Sequence, residues 1–169
     1  MRKLVLILAC VLSSAAFGEG IPLARDLARE ARDAHGEGLP LVVFYTQPDC
    51  VYCERARRDY LQPLIAEPGA RLRLRVVEVD VTSQAPLADF AGRRLSQADF
   101  ARAQGVRIVP TLGFYGPGGA RLVEPLVGLT VPDFYLAYLD ARLDDARKHL
   151  APAVISRPPA RAGSATGGG

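Results

Sequence analysis

A short apolar run that leads directly into a closely spaced pair of cysteines constrains this chain more than any other feature. Residues 39–45 combine Leu, Val, Phe and Tyr, bounded by Pro40 near one end and the loop Thr46-Gln47-Pro48-Asp49 at the other. Such a run reads as a buried strand. Cys50-Val51-Tyr52-Cys53 follows, and the composition from there to about Ala66 is helical, although Pro63 must kink or end that helix. The pair therefore sits where a strand hands the chain to a helix, and its spacing lets the two sulfurs bond within one helical turn.

The remaining segments supply the rest of an alternating architecture. Residues 22–35 place Leu23, Leu27, Ala31 and Ala34 at helical spacing among charges, with Pro22 at the start and Gly36 past the end. Pro68-Gly69 makes a turn, and residues 72–81 alternate as a second strand. Residues 82–95 read as a polar loop with Pro86 and little pattern. Ser96, three residues before Asp99, resembles a capping box and opens a short helix to about Gln104. Residues 108–115 and 121–127 are apolar and flank Gly116-Pro117-Gly118-Gly119, which predicts a hairpin. Thr130, Pro132 and Asp133 start a final helix with Phe134, Leu136, Ala137, Leu139 and Leu143 as its apolar positions. Strands joined through a helix are expected parallel with a right-handed crossover, whereas the hairpin strands are antiparallel. The fold class is α/β: a single mixed β-sheet with helices on both faces.

The two ends differ in kind from this centre. Arg2 and Lys3 precede an apolar stretch, and Ala16-Phe17-Gly18 puts small residues around a cleavage position, so residues 1–18 read as a signal peptide. The apolar stretch covers 14 residues, short of the roughly 18 to 20 that a spanning helix needs. Export to the periplasm is the expectation, with one compact domain over residues 19–151. Residues 152–169, rich in Pro, Arg, Ala, Gly and Ser, read as a disordered tail. The whole chain carries 21 cations and 18 acids; losing Arg2 and Lys3 leaves 19 against 18. A nearly neutral chain with dispersed charge is no nucleic-acid binder. Cys10 leaves with the signal, so only Cys50 and Cys53 remain in an oxidising compartment where disulfides persist. A pair three residues apart closes almost no loop, so its value is chemical more than structural.

The helix start aims free backbone N–H groups and a positive dipole end at the first sulfur, and both stabilise the thiolate that attacks disulfides. Cys50, nearer the loop, is the expected nucleophile, and Cys53, one turn inside, the resolving thiol. Other chemistry fits less well. Zinc needs two more ligands, and His35 and His149 lie in outer helical segments. Covalent haem needs His after the second Cys, where Glu54 stands. Copper or an iron–sulfur cluster requires ligands from a second chain, and an inert local disulfide stays open. No metal or cofactor is expected.

With Cys-x-x-Cys after the strand, Val109-Pro110-Thr111, the Gly-rich hairpin and Gly128 before the last helix, the chain resembles the thioredoxin-fold family. It is similar to exported thioredoxin-like proteins such as the SoxW type, from about Pro22 to Leu143. The resemblance implies a cis bond before Pro110, packed beside the cysteines, and a backbone at Val109 that receives a peptide strand of the substrate. Tyr52, Val109, Pro110 and Thr111 are thus the expected substrate-binding residues. Three departures stand out: Asp49 replaces the family's Trp, Val51-Tyr52 its Gly-Pro, and Phe44 its buried acid. Glu78 and Asp80 are candidates to replace that acid through water, with solvated or capping roles as the plainer reading. Arg55, Arg57 and Arg58 read as a solvated face. Because Tyr52 restores a backbone N–H that proline lacks, that donor is expected at the Cys50 sulfur. The family's first strand looks missing or vestigial.

The resemblance implies a monomeric thiol–disulfide oxidoreductase that reduces protein disulfides, drawing electrons from a membrane thiol donor. The alternative is a non-enzymatic binding module, a copper or substrate chaperone with a structural disulfide.

Overall fold

Strand β1 (Leu41–Thr46) is buried at every residue, because a strand's two-residue period feeds two separate cores. Val42 and Phe44 enter one core; Leu41, Val43 and Tyr45 enter the other. The structure, a computed structural model, describes residues 20–66 and 74–150. The expected signal segment, the Pro68-Gly69 turn and the tail lie outside the described residues.

Strand β1 pairs in parallel with β2 (Arg75–Asp80) and antiparallel with β5 (Thr111–Tyr115). With β6 (Arg121–Val127) at one edge, the sheet order is β2-β1-β5-β6. Helices α2 (Val51–Ala56), α3 (Gln62–Ala66) and α5 (Tyr135–His149) cover the face of Phe44. Helices α1 (Leu27–Gly36) and α4 (Gln97–Ala103) cover the face of Tyr45. The mixed sheet with helices on both faces is as expected.

Several local expectations are corrected. Helix α1 begins at Leu27, where Asp26 accepts the Arg29 N–H at 2.9 Å. Before it, Ala24 N–H donates to Glu78 C=O and Glu78 N–H to Pro22 C=O, both at 2.8 Å. The segment read as the first helical turn is thus extended and bridged to β2, the vestige of a first strand. Pro63 does not end the second helix. A π-helical turn at Arg57–Leu61 widens the helix just ahead of it, relieving the clash that proline makes with the preceding turn, and α3 continues.

Residues 82–95 are no featureless loop. They form a hairpin of β3 (Pro86–Ala88) and β4 (Arg94–Ser96), closed by Asp89. The Asp89 carboxylate accepts the Ala91 and Arg93 N–H groups and the Arg93 Nε–H at 2.8–2.9 Å. Burial alone would raise its pKa, but these donors hold it below the usual carboxylate range. The hairpin also explains why β5 is antiparallel to β1, against the crossover rule. Gln97 and Ala98 N–H donate to Ala85 and Ser83 C=O, returning the start of α4 to the end of β2. The chain therefore re-enters the sheet at the end it left, with Thr111 opposite Tyr45. Ser96 caps α4, its Oγ accepting the Asp99 N–H at 3.0 Å, while the Asp99 carboxylate accepts the Ser96 hydroxyl at 2.7 Å in place of the backbone N–H of a full capping box.

Helix α5 follows a short 3-10 turn (Pro132–Phe134) and buries Tyr135, Leu139, Leu143 and Ala146. Leu139 and Leu143 are core as expected, but Phe134, Leu136 and Ala137 are exposed. The i, i+4, i+8 row through Tyr135 wins over the more apolar row beside it.

The β5–β6 turn holds one glycine for steric reasons. Gly119 has φ +82°, and a Cβ there would lie 2.5 Å from the Phe90 ring. Phe90 in turn packs on Tyr115 and Phe100, at centroid distances of 4.8 and 5.8 Å. Gly119→Ala is expected to cost about 2 to 4 kcal/mol through backbone strain plus overpacking. A urea titration reads this as a lowered midpoint with unchanged slope; an unchanged midpoint would show that the turn yields freely.

Candidate active site

The loop after β1 ends at Asp49, whose φ of +56° lies in the left-handed region that Asp tolerates better than most residues. Cys50 then takes an extended conformation and caps α2, its Sγ accepting the Cys53 N–H at 3.1 Å. Cys50 and Cys53 form a disulfide. The two sulfurs differ in surroundings: Cys53 is fully buried among Phe44, Ala56 and Leu129, while Cys50 packs against that cluster from a partly exposed position.

The donor at the Cys50 sulfur corrects an expectation. It is the Cys53 N–H, not the Tyr52 N–H, so the residue type at position 52 does not control it. Tyr52 N–H sits in the first helical turn, where no preceding carbonyl serves it and proline is tolerated. Tyr52→Pro should therefore leave the Cys50 thiolate pKa within about 0.3 units, a change under about 0.5 kcal/mol. Ultraviolet absorbance of the thiolate, followed against pH, checks this; a rise of a full unit would restore the Tyr52 donor.

The Val109–Pro110 peptide is cis. Pro110 is buried and its C=O accepts the Gly128 N–H at 2.7 Å, while Thr111 Oγ donates to Ile108 C=O at 2.7 Å. Both bonds fix the loop that carries Val109. Val109 packs against both cores, including the cluster that holds Cys53. Exposed apolar side chains border these elements: Val51 and Tyr52 at the start of α2, Ile108 beside Val109, and Val127 beside Gly128.

Phe44 is fully buried, so no acid occupies the position the family fills with one. Above it lies a charge pair that the sequence reading assigned to solvent. The Arg57 guanidinium sits 5.4 Å from the Phe44 ring centroid. Its Nε and Nη2 donate to the two carboxylate oxygens of Glu78 at 3.2 and 2.8 Å. A further contact joins Arg57 to Glu54. Glu78 stands opposite Phe44 in the parallel register, so its side chain projects onto the face of the cysteines' helix. Burial raises the Glu78 pKa, opposed by Arg57. Arg57 is pulled down by burial, but its bonds to Glu54 and Glu78 outweigh this and raise it. Two periodicities pointed to this pair: Arg57 is one turn beyond Cys53, and Glu78 is in phase with the buried Val76.

Asp80 keeps the plainer role, accepting Thr82 N–H and Oγ–H at 2.8 Å in a turn. Arg55 and Arg58 are exposed and pair with Asp59.

A model of the thioredoxin-like domain family matches residues 27–143 of the chain. No curated protein sequence matches it. Among solved structures, a thioredoxin-fold protein from Helicobacter pylori aligns with a TM-score of 0.55 at 17% identity, over 80% of this chain and 90% of that one. Mitochondrial thioredoxin 3 from Saccharomyces cerevisiae aligns with a TM-score of 0.49 at 20% identity, over 74% and 94%. Periplasmic thioredoxin SoxS from Paracoccus pantotrophus aligns with a TM-score of 0.44 at 19% identity, over 63% and 98%. At such identities the likeness concerns the fold.

Proposed function

The chain belongs to the thioredoxin-like domain family, and from that premise we propose that it is an exported thiol–disulfide oxidoreductase that reduces disulfides of periplasmic proteins. One observation carries this reading: a disulfide at a helix start whose outer sulfur is accessible and hydrogen-bonded while its partner sulfur is buried.

In the reduced protein, the Cys50 thiolate attacks one sulfur of a substrate disulfide. The substrate S–S bond breaks, a Cys50–substrate disulfide forms, and the other substrate sulfur leaves as a thiolate that takes a proton. Cys53 then loses its proton and attacks the Cys50 sulfur. The internal disulfide closes and the second substrate thiolate is released. Two electrons pass from the dithiol to the substrate, and a dithiol donor must return two to the Cys50–Cys53 disulfide.

The Cys53 N–H favours charge on Cys50 Sγ, and burial of Cys53 keeps the resolving thiol away from solvent until the mixed disulfide brings its target. In this reading the backbone of Val109 receives a substrate strand and the exposed Tyr52 meets the substrate, while the buried Thr111 holds the loop through its bond to Ile108 C=O. The n-region and apolar stretch of residues 1–18 support export, and resemblance to SoxW-type proteins supports the reducing direction with a membrane donor.

Insulin reduction by the dithiothreitol-primed protein tests the activity, with Cys50→Ser as its matched control. Turbidity that appears equally with both proteins would leave only a binding module. Fractionation of expressing cells tests export: the mature protein belongs in the periplasmic fraction, and recovery of full-length chain in the cytosol would overturn that part.

A further inference from the structure

Behind the Val109–Pro110 loop, on the sheet face opposite the cysteines' helix, lies a groove of about 170 Å³. For scale, a cavity of roughly 150 Å³ holds a benzene molecule. The groove exists because α1 and α4 cover β2 and β1, leaving this face of β5 and β6 uncovered beyond the 104–108 loop. Gly113 contributes no side chain to the floor, and the Tyr115 ring folds back across it; a Cβ at position 113 would lie 2.6 Å from that ring.

The groove's charge is one-sided. Arg107 and Arg121 both line it, and no carboxylate does. Arg107 is exposed and makes no ion pair among the described residues. Arg121 donates to the Gln104 C=O at 3.1 Å from the opposite side. Between them, Tyr45 and Tyr115 share a hydroxyl contact of 2.7 Å, and Tyr115 Oη–H reaches Gln104 Oε1 at 3.3 Å. Burial raises both phenols, so they remain neutral hydrogen-bonding groups at physiological pH. The mouth is apolar: Ile108, beside Val109, and Val127, beside Gly128, line it and are exposed.

We propose that this groove is a specificity subsite that takes an acidic side chain of the substrate protein, near its disulfide, with Arg107 and Arg121 binding the carboxylate. The assignment rests on the disulfide-exchange reading above and refines it. Ile108 and Thr111, on either side of the Val109–Pro110 peptide, line the groove, so a strand laid along Val109 would run beside it. A Glu side chain fits a space of this volume, resting its methylenes on Ile108 and Val127. Two guanidinium groups without a competing carboxylate select an anion and disfavour Lys or Arg at the same substrate position.

The test uses short peptides with one cysteine activated as a pyridyl mixed disulfide, with a Glu scanned through the flanking positions and an all-Gln peptide as reference. Stopped-flow rates of reduction by the dithiol protein are compared at low and high salt. At one Glu position the rate should exceed the Gln reference by roughly five- to tenfold, shrinking with salt. That ratio should fall to about one in Arg107→Gln and Arg121→Gln, and Arg107→Glu combined with Arg121→Glu should invert it in favour of a Lys peptide. Absence of any preferred Glu position, or a preference that survives both Gln variants, overturns the subsite.

A parallel arm does not depend on turnover. The Glu peptide with Ser in place of Cys should shift the Gly105, Gly113 and Val127 amides in NMR spectra, and its Gln counterpart should not. If the all-Gln peptide and insulin both go unreduced, the exchange reading fails while these shifts still decide the groove. Equal shifts from both peptides, or none, reject it. Glutarate alone moving these amides, without any peptide preference, would mark a small-carboxylate site and reject the protein-substrate assignment.

Discussion

Cys50→Ser should bring insulin reduction to background, a loss of roughly a hundredfold or more, because a hydroxyl near neutral pH offers almost none of the thiolate's nucleophilicity. Cys53→Ala should behave differently. The outer sulfur remains at the helix start, so the first exchange proceeds and the mixed disulfide accumulates. Removing the Cys53 side chain leaves its backbone N–H, and with it the 3.1 Å bond to Cys50 Sγ. Non-reducing gels of cell extract should therefore show covalent adducts with Cys53→Ala and none with Cys50→Ser. Mass spectrometry of the adducts names the natural substrates. Iodoacetamide adds a second measurement. In the reduced protein Cys50 should alkylate far faster than Cys53, which is fully buried. Adducts formed equally through Cys53, or equal alkylation rates, would remove the assignment of Cys50 as the nucleophile.

What the sequence made legible here followed from strong local signals. The run ending at Tyr45 could only be a strand, because its residues are apolar at both parities and both faces of β1 are covered. The cysteine pair fell at the cap of α2 because strand and helix compositions meet there. The Gly-rich turn gave β5 and β6 their antiparallel pairing. Ser96 and Asp99 formed their cap as a local sequence pattern should.

What stayed hidden was decided by distant partners. Strand direction at β5 depends on a hairpin of two three-residue strands, too short to carry a periodicity. Asp89 and Gly92, with φ +78°, were its available turn signal. The buried row of α5 was masked because Tyr135 carries a hydroxyl while its neighbours Phe134 and Leu136 are more apolar; burial chose alignment with Leu139 and Leu143. The donor at Cys50 lies one residue beyond the expected Tyr52, a difference set by how the helix closes on its own cap. The groove beside the Val109–Pro110 loop was invisible for a related reason: Arg107 and Arg121 lie in separate segments and line one groove only through the pairing of β5 with β6.

The Arg57–Glu78 pair leads to a large expected effect on stability, and to one that depends on pH. Both side chains are mostly covered, at 17% and 14% exposure, so removing one partner leaves the other charge in poor solvent. Arg57→Met keeps an apolar, flexible stem over the Phe44 ring while deleting the charge. At neutral pH the loss should be about 2 to 3 kcal/mol, below the value for a fully enclosed pair because water still reaches this one. The sign of its pH dependence follows from Glu78. Burial raises the Glu78 pKa above its ordinary 4.5 even with Arg57 present, and without Arg57 it rises further. A carboxyl raised on folding contributes stability that is complete below its unfolded pKa and lost as pH climbs through the folded one. The deficit of Arg57→Met should therefore be smallest below about pH 4.5 and widen as pH rises through the variant's elevated value toward neutrality. Adding Glu78→Gln should recover most of the loss at pH 7, since no charge is then left buried. Denaturant midpoints for wild type, single and double variants across this range give the measurement. A deficit constant with pH and untouched by the second substitution would mean that Arg57 acts through packing on Phe44 alone.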